Sequence, residues 1–304
     1  MRPFLLRLHR WTSLIFALPL FVIIATGLIL SFQPALQHAA IKPGSLSPER
    51  LIAMIEQHDP ERNARALNID PMDNRLMLSG PGGNLAIDLS SGETMGEASA
   101  LSTLFWQSRR IHERLVYGLD PLVPIATGAL LGLIALGLMM GWGTWRNNVP
   151  GWHRGIAWTL LPLLIISPLT GLALTFSISF TSPAPRAPAM PLRETLSLVL
   201  ANKDPSTLLY IAQRGGRQMV RVMEDGAVRH FLATPEGLKP LENNWPRLIH
   251  EGTWRGMWSG AVNIVTSLAL LALLFTGVWI WMRRHLRPRR KRAETGPIGA
   301  HLTR

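Results

Sequence analysis

The sequence has no cysteine in 304 residues. That excludes disulfides, thiolate metal centres and any cofactor attached through sulfur. Charge is also scarce: 16% of residues are Asp, Glu, Lys or Arg, against about 25% in soluble domains. Acidic residues are the rarer sign, 19 against 31 Lys and Arg, which leaves a net charge of +12. Tyrosine occurs only twice, but tryptophan occurs 11 times. No glycine-rich dinucleotide fingerprint stands in a strand–turn–helix context, so the chain carries no nicotinamide or flavin nucleotide site of that kind.

What the sequence does have is apolar length. Four stretches, roughly 11–32, 121–145, 156–180 and 257–282, each reach the ~20 residues that a helix needs to cross a bilayer. The first is longer than a signal-peptide core and lacks a clear small-residue cleavage site, so it is expected to remain as an anchor. Lys and Arg mark the ends. The N-terminus carries Arg2, Arg7 and Arg10, the link between the second and third stretches carries Arg146 and Arg154, and the tail reads RRHLRPRRKR over 283–292. The positive-inside rule places all three in the cytoplasm. The basic excess thus orients the chain in lipid, and nucleic acid is not an expected partner. The expected organisation is 1–32 N-terminus and first span, 33–115 periplasmic, 116–146 second span, 147–180 link and third span, 181–250 periplasmic, 251–282 fourth span, and 283–304 cytoplasmic tail. This describes a multi-pass membrane protein with both termini in the cytoplasm.

The two outer segments are too long to be mere connections. In the first, Ser47 and Pro48 open a helix, SPERLIAMIEQ, followed by the strand-like runs ALNI, RLMLS and NLAIDL with PGGN as a turn. The second reads PLRETLSLVLAN, then TLLYIA, QMVRVM and AVRHFL. Each predicts helix, strand, strand, strand, with Asp-Pro closing the helix at 59–60 and 204–205. The expected fold is a mainly α membrane protein, a four-helix transmembrane bundle of two tandem repeats, with two small α+β periplasmic modules.

The repeat selects four of nine histidines. HRWTSLIFALPLFVIIATG, 9–27, matches HRGIAWTLLPLLIISPLTG, 153–171, and IHE precedes both the second and the fourth span. His9 therefore pairs with His153, and His112 with His250. His38, His58, His230, His285 and His301 have no counterpart. One imidazole on each side of an iron is what a six-coordinate b-type haem requires. Two tandem halves packed about an axis along the membrane normal would supply facing residues at one depth. Two bis-histidine haems are the expected cofactors, the His9–His153 site inward and the His112–His250 site outward.

Other residues join these sites by position. Gly27 and Gly171 lie 18 residues, five helical turns, after His9 and His153, so a continuous helix places each glycine on its histidine's face and leaves room for a flat macrocycle. Pro19, Pro162 and Pro168 can bend that register. Guanidinium binds carboxylate bidentately, which suggests Arg10 and Arg154 at the inner site and Arg110, Arg247 and Arg255 at the outer one. Trp142, Trp145, Trp152, Trp279 and Trp281 read as an interfacial belt; Trp254 and Trp258 flank the outer site.

LHRWTSL, LIHEGTWRGMW, TGVWIWMRR and the paired LTG ends resemble the PepSY-associated transmembrane family. The resemblance covers essentially the whole chain, including the outer modules, which are similar to PepSY domains. It implies four spans, haem held by histidine, and reduction of a ferric siderophore on the periplasmic side, as in bacterial siderophore-iron reductases. His9, His112, His153 and His250 match the family's recurring histidines. Fe(III) is held by hard oxygen donors that hold Fe(II) poorly, so one-electron reduction releases iron. The electron would come from an external donor, a quinol or a reductase. The chain departs from its own repeat after IHE, with GTWRGMW in one half and RLVYGLDP in the other. Two other readings are a non-redox iron or siderophore permease, disfavoured by the lack of charge within the spans, and a PepSY-type module that binds a partner.

Overall fold

The computed structural model describes residues 1–116, 118–142, 146–182 and 190–286. Trp145, His301 and most of the basic tail lie outside the described residues. The chain opens with α1 (Arg2–Ile15), α2 (Ala17–Ser31) and α3 (Gln33–Ala40), then α4 (Pro48–His58). Strands β1 (Ala66–Asp70), β2 (Arg75–Gly80) and β3 (Gly83–Asp88) follow, then α5 (Ala100–Arg114) and α6 (Leu122–Met139). The rest runs α7 (Val149–Thr159), α8 (Leu161–Thr175), α9 (Leu192–Leu200), β4 (Leu208–Arg214), β5 (Arg217–Glu224), β6 (Ala227–Thr234), β7 (Gly237–Pro240), α10 (Trp245–Glu251) and α11 (Gly256–His285), a similar order without a counterpart of α3 and with one strand more.

Among the described residues, three helical segments are long and apolar enough to span a membrane: Ala17–Ala40, Leu122–Met139 and Gly256–His285. Helices α7 and α8 make a fourth if they are one span bent by 67°. Leu20, Ile23 and Ile24 pack inside the bundle with Ala126, Leu133, Leu164, Ala269 and Leu270. Leu18, Ile125, Leu169 and Phe275 point outward, as a lipid-facing surface requires. The chain is a membrane protein.

The first helix of each half is broken, at Phe16 and at Leu160. The cause is local. Proline has no N–H, and its ring crowds the carbonyl four residues earlier. Pro19 therefore leaves the carbonyl of Ile15 unpaired, and Pro162 that of Trp158. The expected five-turn register from His9 to Gly27 and from His153 to Gly171 is lost at these breaks.

The strands of both outer segments form one antiparallel sheet, in the order β3-β2-β1-β4-β5-β6-β7. It is joined at its centre by β1 against β4, with Leu67 opposite Ile211. Strand β7 extends beyond the three strands expected per segment. Helices α4 and α9 cover one face, where Leu51, Ile55, Leu196 and Val199 share a core with Leu67, Leu76, Ile87, Leu208, Val220 and Val222. Each such fully buried aliphatic side chain contributes roughly 1.5–3 kcal/mol. Helix α4 starts as its sequence predicts, with Ser47 accepting the Arg50 N–H at 3.2 Å. Helix α9 ends at Leu200, before the expected Asp204, which instead caps a short 3-10 turn by accepting the Ser206 N–H at 2.9 Å.

The sheet also fixes the helices below it. Asp73, in the β1–β2 turn, accepts the Ser99 N–H at 3.0 Å and the Ser99 hydroxyl. Ser99 is the N-cap of α5. Asp70 accepts the Ser102 hydroxyl at 2.8 Å. On the other side, the Gly256 N–H, at the start of α11, donates to the Gly226 carbonyl in the β5–β6 turn at 2.7 Å. The outer domain is thereby joined to the bundle at both α5 and α11.

Candidate functional site

Helix α5 ends in RRIHER and α10 in RLIHE, so each carries an Arg-x-Ile-His-Glu sequence in its last turns. A residue with positive φ stops each helix just beyond: Leu115 at 54° and Gly252 at 68°. The two histidines of these sequences meet. The ring centroids of His112 and His250 are 5.9 Å apart, with planes inclined by 41°.

Each imidazole is held by the first broken helix of its own half. Nδ1 of His112 lies 2.9 Å from the carbonyl oxygen of Ile23 and 3.4 Å from the hydroxyl of Thr26. Nδ1 of His250 lies 3.1 Å from the carbonyl of Ser167 and 3.3 Å from the hydroxyl of Thr170. A carbonyl only accepts, so Nδ1 carries the proton in both rings and Nε2 keeps its lone pair. Neither Nε2 has a hydrogen-bond partner among the described residues. This is how a metal-ligating histidine is held: one nitrogen fixed by a backbone oxygen, the other left free.

Glycine makes the approach possible. A β-carbon on Gly27 would come 3.1 Å from Cε1 of His112, and one on Gly171 would come 3.0 Å from Cε1 of His250. Both glycines therefore serve the outer pair, not the inner histidines to which the sequence register assigned them. The physical reason is the break at Phe16 and Leu160, which turns the glycine-bearing helix onto α5 in one half and onto α10 in the other.

The inner histidines follow a related design. Nδ1 of His153 lies 2.8 Å from the hydroxyl of Thr276, which itself donates to the Ala272 carbonyl at 2.6 Å. The hydroxyl proton is thus committed, and Nδ1 of His153 must be the donor. Gly277 follows Thr276, and a β-carbon there would lie 3.5 Å from Cε1 of His153. His9 is electrostatically coupled to His153. It faces the Leu133 carbonyl as His153 faces that of Leu273. Three residues on from Leu133, however, Leu136 stands where Thr276 stands in the other half. Nδ1 of His9 is buried without a hydrogen-bond partner.

The two levels are closer than the bilayer is thick. On α11, Asn263 donates to the backbone carbonyl of His250 at 2.9 Å, and Thr276 holds the ring of His153. Those thirteen residues correspond to about 20 Å of helix rise, against about 30 Å of hydrocarbon.

The arginines sort differently from expectation. Arg247 is at the outer site, with Nη1 2.9 Å from Glu251. Arg110 is not; its guanidinium lies over Trp106, 5.6 Å from the ring centroid. Its neighbour Arg109 takes the place, 4.0 Å from Glu251 and 3.7 Å from Glu113. The Arg-x-Ile-His-Glu alignment carries that signal, since Arg109 and Arg247 both stand three residues before their histidine. Arg255 is exposed at the start of α11 and makes only a backbone contact, its N–H to the Ser259 hydroxyl at 3.3 Å. Arg154 donates to the Pro150 carbonyl one turn back at 3.2 Å, whereas Arg10 lies beside Trp11 with its Nε buried and without a hydrogen-bond partner among the described residues. Trp142, Trp258 and Trp279 are exposed. Among the described residues no three His, Asp or Glu side chains converge as ligands; the unit of the site is the pair.

No curated protein matches this chain. The profile of the PepSY-associated TM region matches residues 6–284, from the first helix to the end of the last span. The chain belongs to the PepSY-associated TM region family.

Proposed function

We propose that this protein carries electrons across a bacterial inner membrane through two b-type haems and reduces a ferric siderophore in the periplasm. The two halves act as tandem copies, each with a PepSY-like outer module, and both termini are cytoplasmic. The observation that carries this reading is the His112–His250 pair, with ring centroids 5.9 Å apart and both Nδ1 atoms anchored. A metal between two imidazole nitrogens, about 2.0–2.1 Å from each, spaces the ring centroids by roughly 6 Å. The donor set therefore suits a bis-histidine haem at the outer level, held by His112 and His250, whose rings Gly27 and Gly171 leave room for.

His153, with Thr276 and Gly277, and His9 would hold the second haem nearer the cytoplasm. Bound there, haem supplies one-electron transfer. The chain's own residues do the rest. The Ile23 and Ser167 carbonyls keep the outer imidazoles in the ligating tautomer, and the apolar bundle excludes water. Arg109 and Arg247 place positive charge beside anionic groups at the outer level. The donor is external, a quinol or a reductase.

An absorbance spectrum of the purified protein, before and after dithionite, tests this directly. Two bis-histidine haems per chain, one lost in His250→Ala and the other in His153→Ala, are expected. Reduced protein should then be reoxidised by a ferric siderophore, with Fe(II) trapped by ferrozine. Protein without haem would leave a partner-binding membrane module as the reading.

A further inference from the structure

Strands β4, β5 and β6 present a row of side chains that the histidine pair does not use. The register sets Tyr210 opposite Arg221, and Arg221 opposite His230. Val220 and Val222 belong to the core under α4 and α9. Alternation along a strand therefore turns Arg221 to the other face, as the pairing does Tyr210 and His230. That face lies near the end of α10: the Val228 N–H of β6 donates to the Thr253 carbonyl just beyond that helix at 3.2 Å, and Arg221 and His230 both feel the charges of Arg247 and Glu251.

Two guanidiniums share one ring there. Arg221 lies 5.4 Å and Arg214 5.9 Å from the centroid of Tyr210. Among the described residues neither has a carboxylate within ion-pair distance. Arg109, Arg247, Glu113 and Glu251 complete the group. Four arginines thus face two carboxylates, and both carboxylates are already engaged by Arg109 and Arg247. Holding like charges together over one phenol ring is costly unless an anion joins them. Burial lowers the Arg221 guanidinium from its usual range; Glu251 draws it back up, and Arg247 and Arg214 push it further down.

We propose that this face is an anion site, in which Arg214, Arg221 and Arg247 receive an oxygen-rich anionic metal chelate of the polycarboxylate class beside α10, the helix that carries His250. It deepens the reductase reading and rests on it for the iron, but not for the charge. Guanidiniums grip planar carboxylates bidentately, and two of them lie beside Tyr210. Arg214 is exposed at the β4–β5 turn, which gives a large chelate a way in from the periplasm.

The test uses gallium(III) citrate, which has the charge and donor set of a ferric chelate but does not accept an electron. Binding to the full chain in nanodiscs is followed by calorimetry at two salt concentrations. Saturable binding that weakens with salt is expected. Arg221→Gln and Arg214→Gln should each weaken it about tenfold or more. Arg221→Lys should recover part of the loss. Arg229→Gln, which removes the same charge from the opposite strand face, should change nothing. Equal affinity in wild type, Arg214→Gln and Arg221→Gln would overturn the site, as would no binding at millimolar probe. Binding lost in these variants while the haem spectrum stays intact separates this proposal from the redox one. A chain that binds the probe but holds no haem would keep the site and remove the reductase.

Discussion

Gly27 lies against the ring of His112, near enough that a β-carbon on it would come 3.1 Å from Cε1. Gly171 stands in the same relation to His250, at 3.0 Å. A methyl group there requires the ring to give by a few tenths of an ångström, and a branched side chain requires it to leave. Gly171→Val is expected to abolish the outer haem, and Gly171→Ala to retain most of it. Gly128→Val, at a position where a β-carbon meets nothing within 4 Å, should keep both haems. The measurement is haem content per chain together with the dithionite difference spectrum.

The inner pair is unequal, and two substitutions should act in opposite directions. Thr276→Val removes the acceptor for Nδ1 of His153. Leu136→Thr supplies one at the position of α6 that corresponds to Thr276, for Nδ1 of His9, which is buried without a hydrogen-bond partner among the described residues. A neutral hydrogen bond contributes about 1 kcal/mol. Haem loss from the inner site to apomyoglobin should therefore speed up roughly fivefold in the first variant and slow by a similar factor in the second. Unchanged rates in both would show that these hydroxyl positions do not set imidazole retention.

His230 predicts a pH response of the outer domain. Burial, reinforced by Arg221, pushes its imidazole down to about 4 from an ordinary 6.5. Above pH 6.5 both folded and unfolded chains hold it neutral, so it has no effect on stability. As pH falls from 6.5 towards 4, the unfolded chain takes up a proton that the folded chain refuses, and stability drops. The loss approaches about 3 kcal/mol at the lower end, at 1.36 kcal/mol per pH unit. Thermal melting of the full chain at pH 7, 5.5 and 4.5 should show a fall that is smaller in His230→Gln. Parallel pH slopes for the two proteins would contradict this.

Membrane orientation follows from the placement of Lys and Arg. Alkaline phosphatase fused after residue 60 or 215 is expected to be active, and after residue 290 inactive. The reverse pattern would put the sheet domain in the cytoplasm and remove the periplasmic substrate.

Much of the bundle was legible in the sequence because membrane spans are written in one dimension. Apolar length alone located the helices, and the repeated Ile-His-Glu sequence singled out His112 and His250, whose rings meet. The helix–strand order of the outer segments followed from Ser47–Pro48, the PGGN turn and the short strand-like runs, which act over a few residues. The Arg-x-Ile-His-Glu alignment was also present in the sequence, and it would have favoured Arg109 over Arg110.

What the sequence determined by itself was where the apolar helices lie and that His112 and His250 occupy matching positions. Those properties depend on periodicity and composition within a segment. Only the tertiary structure decided that Gly27 serves His112 and not His9, because the break at Phe16 uncouples the two ends of the first span. It alone joined the two outer segments through β1 and β4, and it alone lined up Tyr210, Arg221 and His230 near the end of α10. A helical or strand period fixes the face on which a residue sits, but the partner of that face is set by packing between elements far apart in the chain.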